Sequence, residues 1–317
     1  MTLLELNRSY STDEDCREIL TRLRWPEGVE CPRCKNRGVW WVQSRKQFTC
    51  SECSYQFSVT TGTIFNDSHL PLAIWFVAVL LLCEAKKGMS AHQLKRTIWG
   101  KNKGSYKTAW YLCHRIRAAM KEVERPMLDG TVEMDETYVG GRKRGIGVKA
   151  AKEAKEVVIG IHQRNGDLRF FHAEDAKSGT LAQYIRDNVS TDVDVLITDS
   201  FPAYKNAVGE KGHKTVDHRA GEYVRYEGGE CISTNTVESA FSLLKRGIVG
   251  SWHKISAKHL PAYLDEMTFR FNRRNRSDLF IDTLRHMITA DPLTFDTLTA
   301  DRPMSGANET AVSVVPF

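Results

Sequence analysis

Apolar and polar positions alternate with a period that changes along the chain, and each change marks an element. Residues 131 to 141, Thr-Val-Glu-Met-Asp-Glu-Thr-Tyr-Val-Gly-Gly, have the β-branched and aromatic composition of a strand, with two glycines to stop it. A period of two puts Glu133 and Asp135 on one face and Glu136 on the other. Carboxylates inside a strand are unfavourable unless something positive lies against them. The alternative is an edge strand with a solvated acidic face. Residues 157 to 162 and 168 to 172 continue as strands around Asn165-Gly166, a hairpin-turn signal, so residues 131 to 174 predict three consecutive antiparallel strands. Ser178 is expected to cap a helix through about Val189, with Leu181, Ile185 and Val189 on one face. Residues 193 to 199 form a short apolar strand ending in Asp199, and Ser200-Phe-Pro-Ala-Tyr204 starts another helix. Residues 233 to 246 predict a helix with Val237, Phe241 and Leu244 facing the core, while Asn235, Glu238, Ser242 and Lys245 share another stripe. Residues 257 to 273 predict a helix closing over the sheet, with Leu260, Leu264, Met267 and Phe271 inward.

The amino-terminal third has a different rhythm. Residues 11 to 24 open with capping residues and acids and then show helical spacing at Cys16, Ile19, Leu20 and Leu23. Residues 70 to 86 read as an apolar helix stopped at Gly88. Ser90 caps a short helix over 91 to 98, a Gly- and Asn-rich turn follows at 100 to 104, and Ser105 caps a longer helix starting at Tyr106. A short helix, a turn and a longer helix with Tyr106, Lys107 and Thr108 near its start is the layout of a DNA-docking helix-turn-helix; a plain helical linker bundle is the alternative. His92, Cys113 and His114 read as packing or surface residues rather than ligands.

Cysteine spacing adds the first chemistry. Cys31 and Cys34 form one pair, Cys50 and Cys53 a second, and the strand-like stretches between them form a hairpin that brings the two turns together. This is four-cysteine zinc spacing, and four thiolates leave no open position, so the zinc is expected to be structural. Eight cysteines among 317 residues, four of them so arranged, suit a reducing cytosol and metal binding better than a disulfide framework. No secretory start is recognisable, and the longest apolar run, residues 70 to 83, is shorter than the roughly 20 residues a membrane-spanning helix needs, so a cytoplasmic, nucleoid-associated protein without a membrane partner is expected. The net charge of +6 leans toward polyanions, with local clusters around the cysteines, at residues 142 to 155, and at Lys254, Lys258, Arg270, Arg273, Arg274 and Arg276. Such runs are equally read as solvated rims, or as partners of Asp265 and Glu266. From about Arg302 the chain is small and polar with little pattern, and mobility is expected there.

Asp135 on a first strand, Asp199 at the end of a later strand and Glu238 on a later helix are what a divalent-metal phosphoryl-transfer site requires. Carboxylates suit a hard cation such as magnesium or manganese, and two ions can serve the attacking and leaving oxygens. Taken alone, Asp199 is equally a helix cap, and Glu238 with Lys245 a surface salt-bridge stripe. The order of elements predicts an α/β, ribonuclease-H-like mixed sheet with flanking helices, preceded by a small zinc ribbon and a helix-turn-helix. The expected domains are 10–62 (helix and ribbon), 68–126 (helix-turn-helix), 128–290 (catalytic) and 291–317 (tail).

Over roughly residues 10 to 275 the chain resembles the bacterial insertion-sequence transposases of the Asp-Asp-Glu type that bear an amino-terminal zinc ribbon. The stretches that carry the resemblance are residues 25 to 34, 108 to 117, 135 to 141, Thr198-Asp-Ser200 with Tyr204, Thr234-Asn-Thr-Val-Glu238 with Lys245-Arg-Gly247, and 263 to 274. The resemblance implies that Asp135, Asp199 and Glu238 are the metal-binding triad and that Lys245, followed by Arg246, contacts the DNA end. Ser233 departs from the pattern, which often has His just before the Thr-Asn pair. The function so implied is metal-dependent cleavage and strand transfer on double-stranded DNA by a dimer or higher assembly. A catalytically inactive DNA-binding regulator, or a nuclease that cuts without joining, are the alternatives.

Overall fold

A computed structural model describes residues 1–140, 155–209 and 212–300. The basic stretch at 142 to 154 and the terminal segment from Arg302 lie outside the described residues. The chain divides into two compact units: Met1–Arg125 with Leu243–Lys254 and Ala262–Thr299, and Pro126–Ser242 with Ile255–Pro261.

The first unit is helical around a small ribbon. Helix α1 (Leu3–Ser9) and helix α2 (Asp13–Arg24) each begin with a reciprocal capping box, from Thr2 and Thr12. Strands β1 (Val39–Val42), β2 (Gln47–Cys50) and β3 (Gln56–Phe57) form a three-stranded antiparallel sheet. Helix α3 (Leu72–Glu84) is apolar on nearly every face and is buried accordingly, with Trp75, Phe76, Val79 and Leu82 in the core. Gly88, at φ +80°, ends the turn beyond it. A Cβ there would lie 2.1 Å from the Trp252 ring, so only glycine fits.

Ser90 caps helix α4 (Ala91–Trp99) by accepting from the Gln93 amide, as its sequence position predicts. Ser105 precedes helix α5 (Tyr106–Ala119) but makes no side-chain cap bond.

In the second unit β4 (Thr131–Val139), β5 (Glu156–Gln163) and β6 (Leu168–Ala173) are the three antiparallel strands expected from the pattern. Asn165 at φ 59° makes their hairpin turn. Helix α6 (Ser178–Asn188) has Lys177 at its N-cap position and no side-chain cap bond; Ser178 is its first residue, and its hydroxyl donates to the Ala203 carbonyl. Strand β7 (Val195–Asp199), helix α7 (Pro202–Ala207) and strand β8 (His213–Val216) follow. The sheet order is β6-β5-β4-β7-β8, with β7 and β8 parallel to β4, which is a ribonuclease-H-like mixed sheet. A small hairpin, β9 (Arg225–Glu227) and β10 (Glu230–Ile232), leads into helix α8 (Asn235–Gly247), within which the boundary between the units falls.

One face of the sheet packs Val132, Met134, Ile159 and Ile161 against Leu181, Ile185 and Tyr204. On the other face α8 approaches the backbone closely at Gly160. A Cβ at this position would lie 2.7 Å from Phe241 and 2.8 Å from Val237. Glycine inside a strand is tolerated for such an approach. Gly160 is the register partner of Asp135.

Helix α9 (Leu260–Asn272) buries Leu260, Leu264 and Met267 as its spacing predicts, but Phe271, expected with them, is only half-buried. Its length from Ala262 onward belongs to the first unit, and Phe269 enters that core. Arg270 is not a phosphate-tracking residue: it is buried and lies 3.1 Å from Glu266, which also pairs with Arg117 at 2.6 Å. Arg273 pairs with Glu122 and Asp282. Helices α10 (Leu279–Thr289) and α11 (Phe295–Thr299) complete the unit, α10 placing Phe280, Leu284, Met287 and Ile288 in the core with Phe76 and Leu80.

Candidate metal centre

Two clusters among the described residues have the composition and closeness of metal sites. In the ribbon, the ligand atoms of Cys31, Cys34, Cys50 and Cys53 all lie within 4.8 Å of one another. Sγ of Cys31 is 3.7 Å from that of Cys53, and Sγ of Cys34 is 3.5 Å from that of Cys50. These separations are far beyond a disulfide bond and match the edge of a tetrahedron with a metal–sulfur distance of about 2.3 Å. Backbone amides of Cys53 and Glu52 hold the Cys50 thiol down, while burial and the neighbouring sulfurs push that of Cys34 up, as expected of four thiols crowded together without a shared cation. The site is a structural zinc-ribbon site.

The second cluster lies at the open end of the β4–β7 pair. Parallel pairing of these strands stops at Glu133 and Ile197, two residues before Asp135. Beyond it, carboxylate oxygens of Asp135, Glu136 and Asp199 come within 4.8 Å of one another. Asp135 accepts from the Glu136 amide at 2.8 Å, and Asp199 from the Phe201 amide at 2.9 Å, so Asp199 is both a turn-former and a member of the cluster. Burial, together with the charges of Glu136, Asp199 and Glu238, pushes the Asp135 carboxyl up to about 8. An all-oxygen donor set with such uncompensated negative charge fits a hard divalent cation.

Sequence periodicity placed Glu136 on the opposite face from Asp135 and so outside the site. The structure nevertheless brings the Asp135 and Glu136 carboxylates together beside Asp199, beyond the last β4–β7 pair. Tyr204 donates its hydroxyl to Glu136 at 2.9 Å, and burial and this carboxylate keep its phenol protonated.

Glu238 stands in the first turn of α8 and is not part of the three-carboxylate group. It accepts from the Thr234 hydroxyl at 3.2 Å, and its Oε1 lies 2.8 Å from Nε2 of His218, which is also 3.0 Å from that hydroxyl. A carboxylate only accepts, so Nε2 carries the proton in this contact. His218 opens a single 3-10 turn (His218–Ala220) just after β8, where no periodicity or spacing distinguishes it. Lys245 and Arg246 lie exposed in the last turn of α8. Tyr106 is exposed and stacks on His92, and Lys107 lies 4.0 Å over the Phe295 ring.

A sheet of this order, with one acid within its first strand and another at the end of the adjacent parallel strand, defines the ribonuclease-H-like class. Residues 127–272 match the family model of the ISXO2-like transposase domain, and residues 11–56 match that of the transposase zinc-ribbon domain. The chain belongs to the insertion-sequence transposases of this type, with an amino-terminal zinc ribbon. It is 28% identical over 284 residues to a protein in the transposable element ISH50 of Halobacterium salinarum, an alignment covering 83% of this chain and 92% of that protein. No described helix is long and apolar enough to cross a membrane.

Proposed function

We propose that the protein cleaves DNA at the ends of an insertion sequence and joins the freed 3′-hydroxyl to target DNA, with Asp135, Asp199 and Glu238 as the catalytic acids. The observation that carries this reading is the meeting of Asp135 and Asp199, 64 positions apart in the chain, at one point of a ribonuclease-H-like sheet. Magnesium or manganese held by these acids would supply charge neutralisation at the phosphate and an activated attacking oxygen. Glu136 adds a further carboxylate to the same point. Tyr204 and His218 each hold one acid of the set in place through a hydrogen bond. The protein's own contribution is positioning, since phosphoryl transfer needs no covalent nucleophile from the chain.

The ribbon and the α4–α5 pair would bind the terminal inverted repeats, with Tyr106 and Lys107 at the start of α5 and Lys245 and Arg246 at the end of α8 contacting DNA. Two ends must be joined, so the working form is a dimer or higher assembly on DNA. Asp199→Asn tests the reading. End binding is expected to persist, while strand transfer falls by at least about a hundredfold, the effect of losing several kcal/mol of charge stabilisation. Undiminished strand transfer would remove Asp199 from the site.

A further inference from the structure

The strand that supplies Asp135 holds another acid, Glu133, which is 1% exposed and is not one of the three acids whose carboxylates meet. Its Oε1 accepts from Nε of Arg164 at 2.9 Å. Its Oε2 accepts from the backbone amides of Thr236 at 2.9 Å and Val237 at 3.1 Å. Those amides belong to the first turn of α8, where a helix leaves N–H groups without an internal acceptor and carries its positive dipole end. Arg164 leads into the β5–β6 turn. Its Nη2 donates to the carbonyl and hydroxyl of Ser233, at 3.0 and 3.2 Å, and its Nη1 donates to the Cys231 carbonyl. One guanidinium therefore ties the strand acid to the segment entering α8, while that acid holds the helix start directly. Glu238 is the next residue after Val237.

We propose that Glu133 and Arg164 are positioning residues that hold the start of α8 on β4 and so set where the Glu238 carboxylate lies relative to Asp135. This rests on the reading of Asp135, Asp199 and Glu238 as metal ligands. Both oxygens of Glu133 are engaged by donors, so Glu133 acts through Glu238 and not as a ligand. The charge matters, because charge-assisted bonds are about twice as strong as neutral ones. A glutamine would keep the shape, yet its NH2 group would face either the guanidinium or the helix amides.

The test uses full-length Glu133→Gln beside the wild type and Asp135→Asn, with two measurements. Amide hydrogen exchange of residues 235 to 240, followed by mass spectrometry without metal, is expected to speed up in Glu133→Gln. Mn2+ binding, followed by electron paramagnetic resonance in protein that remains folded, is expected to weaken about ten- to a hundredfold, the range for losing a group that orients a ligand. Unchanged exchange would overturn the proposal. So would wild-type Mn2+ affinity in the folded variant, which would leave Glu133 a purely structural acid. A loss of Mn2+ binding as complete as in Asp135→Asn would make Glu133 a ligand and equally overturn it. If Glu133→Gln does not fold, Arg164→Lys, which keeps the charge and loses the fork, takes the same two measurements with the same expectations. If the wild type itself binds no Mn2+, the metal reading fails, and the exchange rates still decide whether the clamp holds the helix.

Discussion

At the scale of single residues, Asp135 carries the clearest electrostatic signature. Its folded value of about 8 stands above the ordinary 3.8 of an aspartate, first through burial and then through its acidic neighbours. Between these values the folded chain holds a proton that the unfolded chain releases. The stability contributed is therefore present at low pH and lost as pH rises through about 8. In the absence of divalent ions, the melting temperature of the wild type should fall relative to that of Asp135→Asn from about pH 5 to about pH 8. Added Mg2+ should raise the wild-type melting temperature more at the upper end of that window, where it does not compete with the proton. Parallel melting curves for the two proteins across this range would show that Asp135 is not perturbed. His218 offers a second residue-scale prediction. His218→Ala should leave Glu238, among the described residues, with the Thr234 hydroxyl as its side-chain partner and raise the Mg2+ concentration needed for half-maximal cleavage, measured by titrating Mg2+ in an end-cleavage assay.

At the scale of elements, the contact between α8 and the sheet depends on an absent side chain. Gly160→Ala puts a methyl group within 2.7 Å of Phe241 and 2.8 Å of Val237. Overpacking of this kind costs about 1–3 kcal/mol, to be read from urea unfolding of the variant. The ribbon makes a second element-scale prediction. The wild type should carry about one zinc per chain by atomic emission, because four thiolates complete a tetrahedral shell, and Cys50→Ser should carry none. Periodicity announced β4, β5, β6 and the apolar face of α8 because strand and helix repeats are local properties of the chain. It misassigned the cap of α6, because the Ser178 hydroxyl is drawn away by a carbonyl 25 positions distant.

At the scale of the whole molecule, helix α10, the last but one described, is built into the core of the first unit. Phe280, Leu284, Met287 and Ile288 are all buried there. At about 1.5–3 kcal/mol each, these four side chains contribute as much as the entire net stability of a typical domain. Truncation before Leu279 should therefore unfold the helical unit, seen as loss of a cooperative transition in circular dichroism. The zinc ligands, the apolar faces and the strand acids Asp135 and Asp199 were legible in the sequence, since spacing and alternation need only neighbours along the chain. Which acids meet was decided by the tertiary structure. Glu136 joins Asp135 and Asp199 beyond the last β4–β7 pair, whereas Glu133, on the face that alternation assigned to Asp135, is turned to an arginine and a helix start. Likewise His218 became the neighbour of Glu238, because charge pairing acts across space and a sequence records only order; the pairing of Arg270 with Glu266, one helical turn away, was by contrast one of the two readings its sequence position allowed.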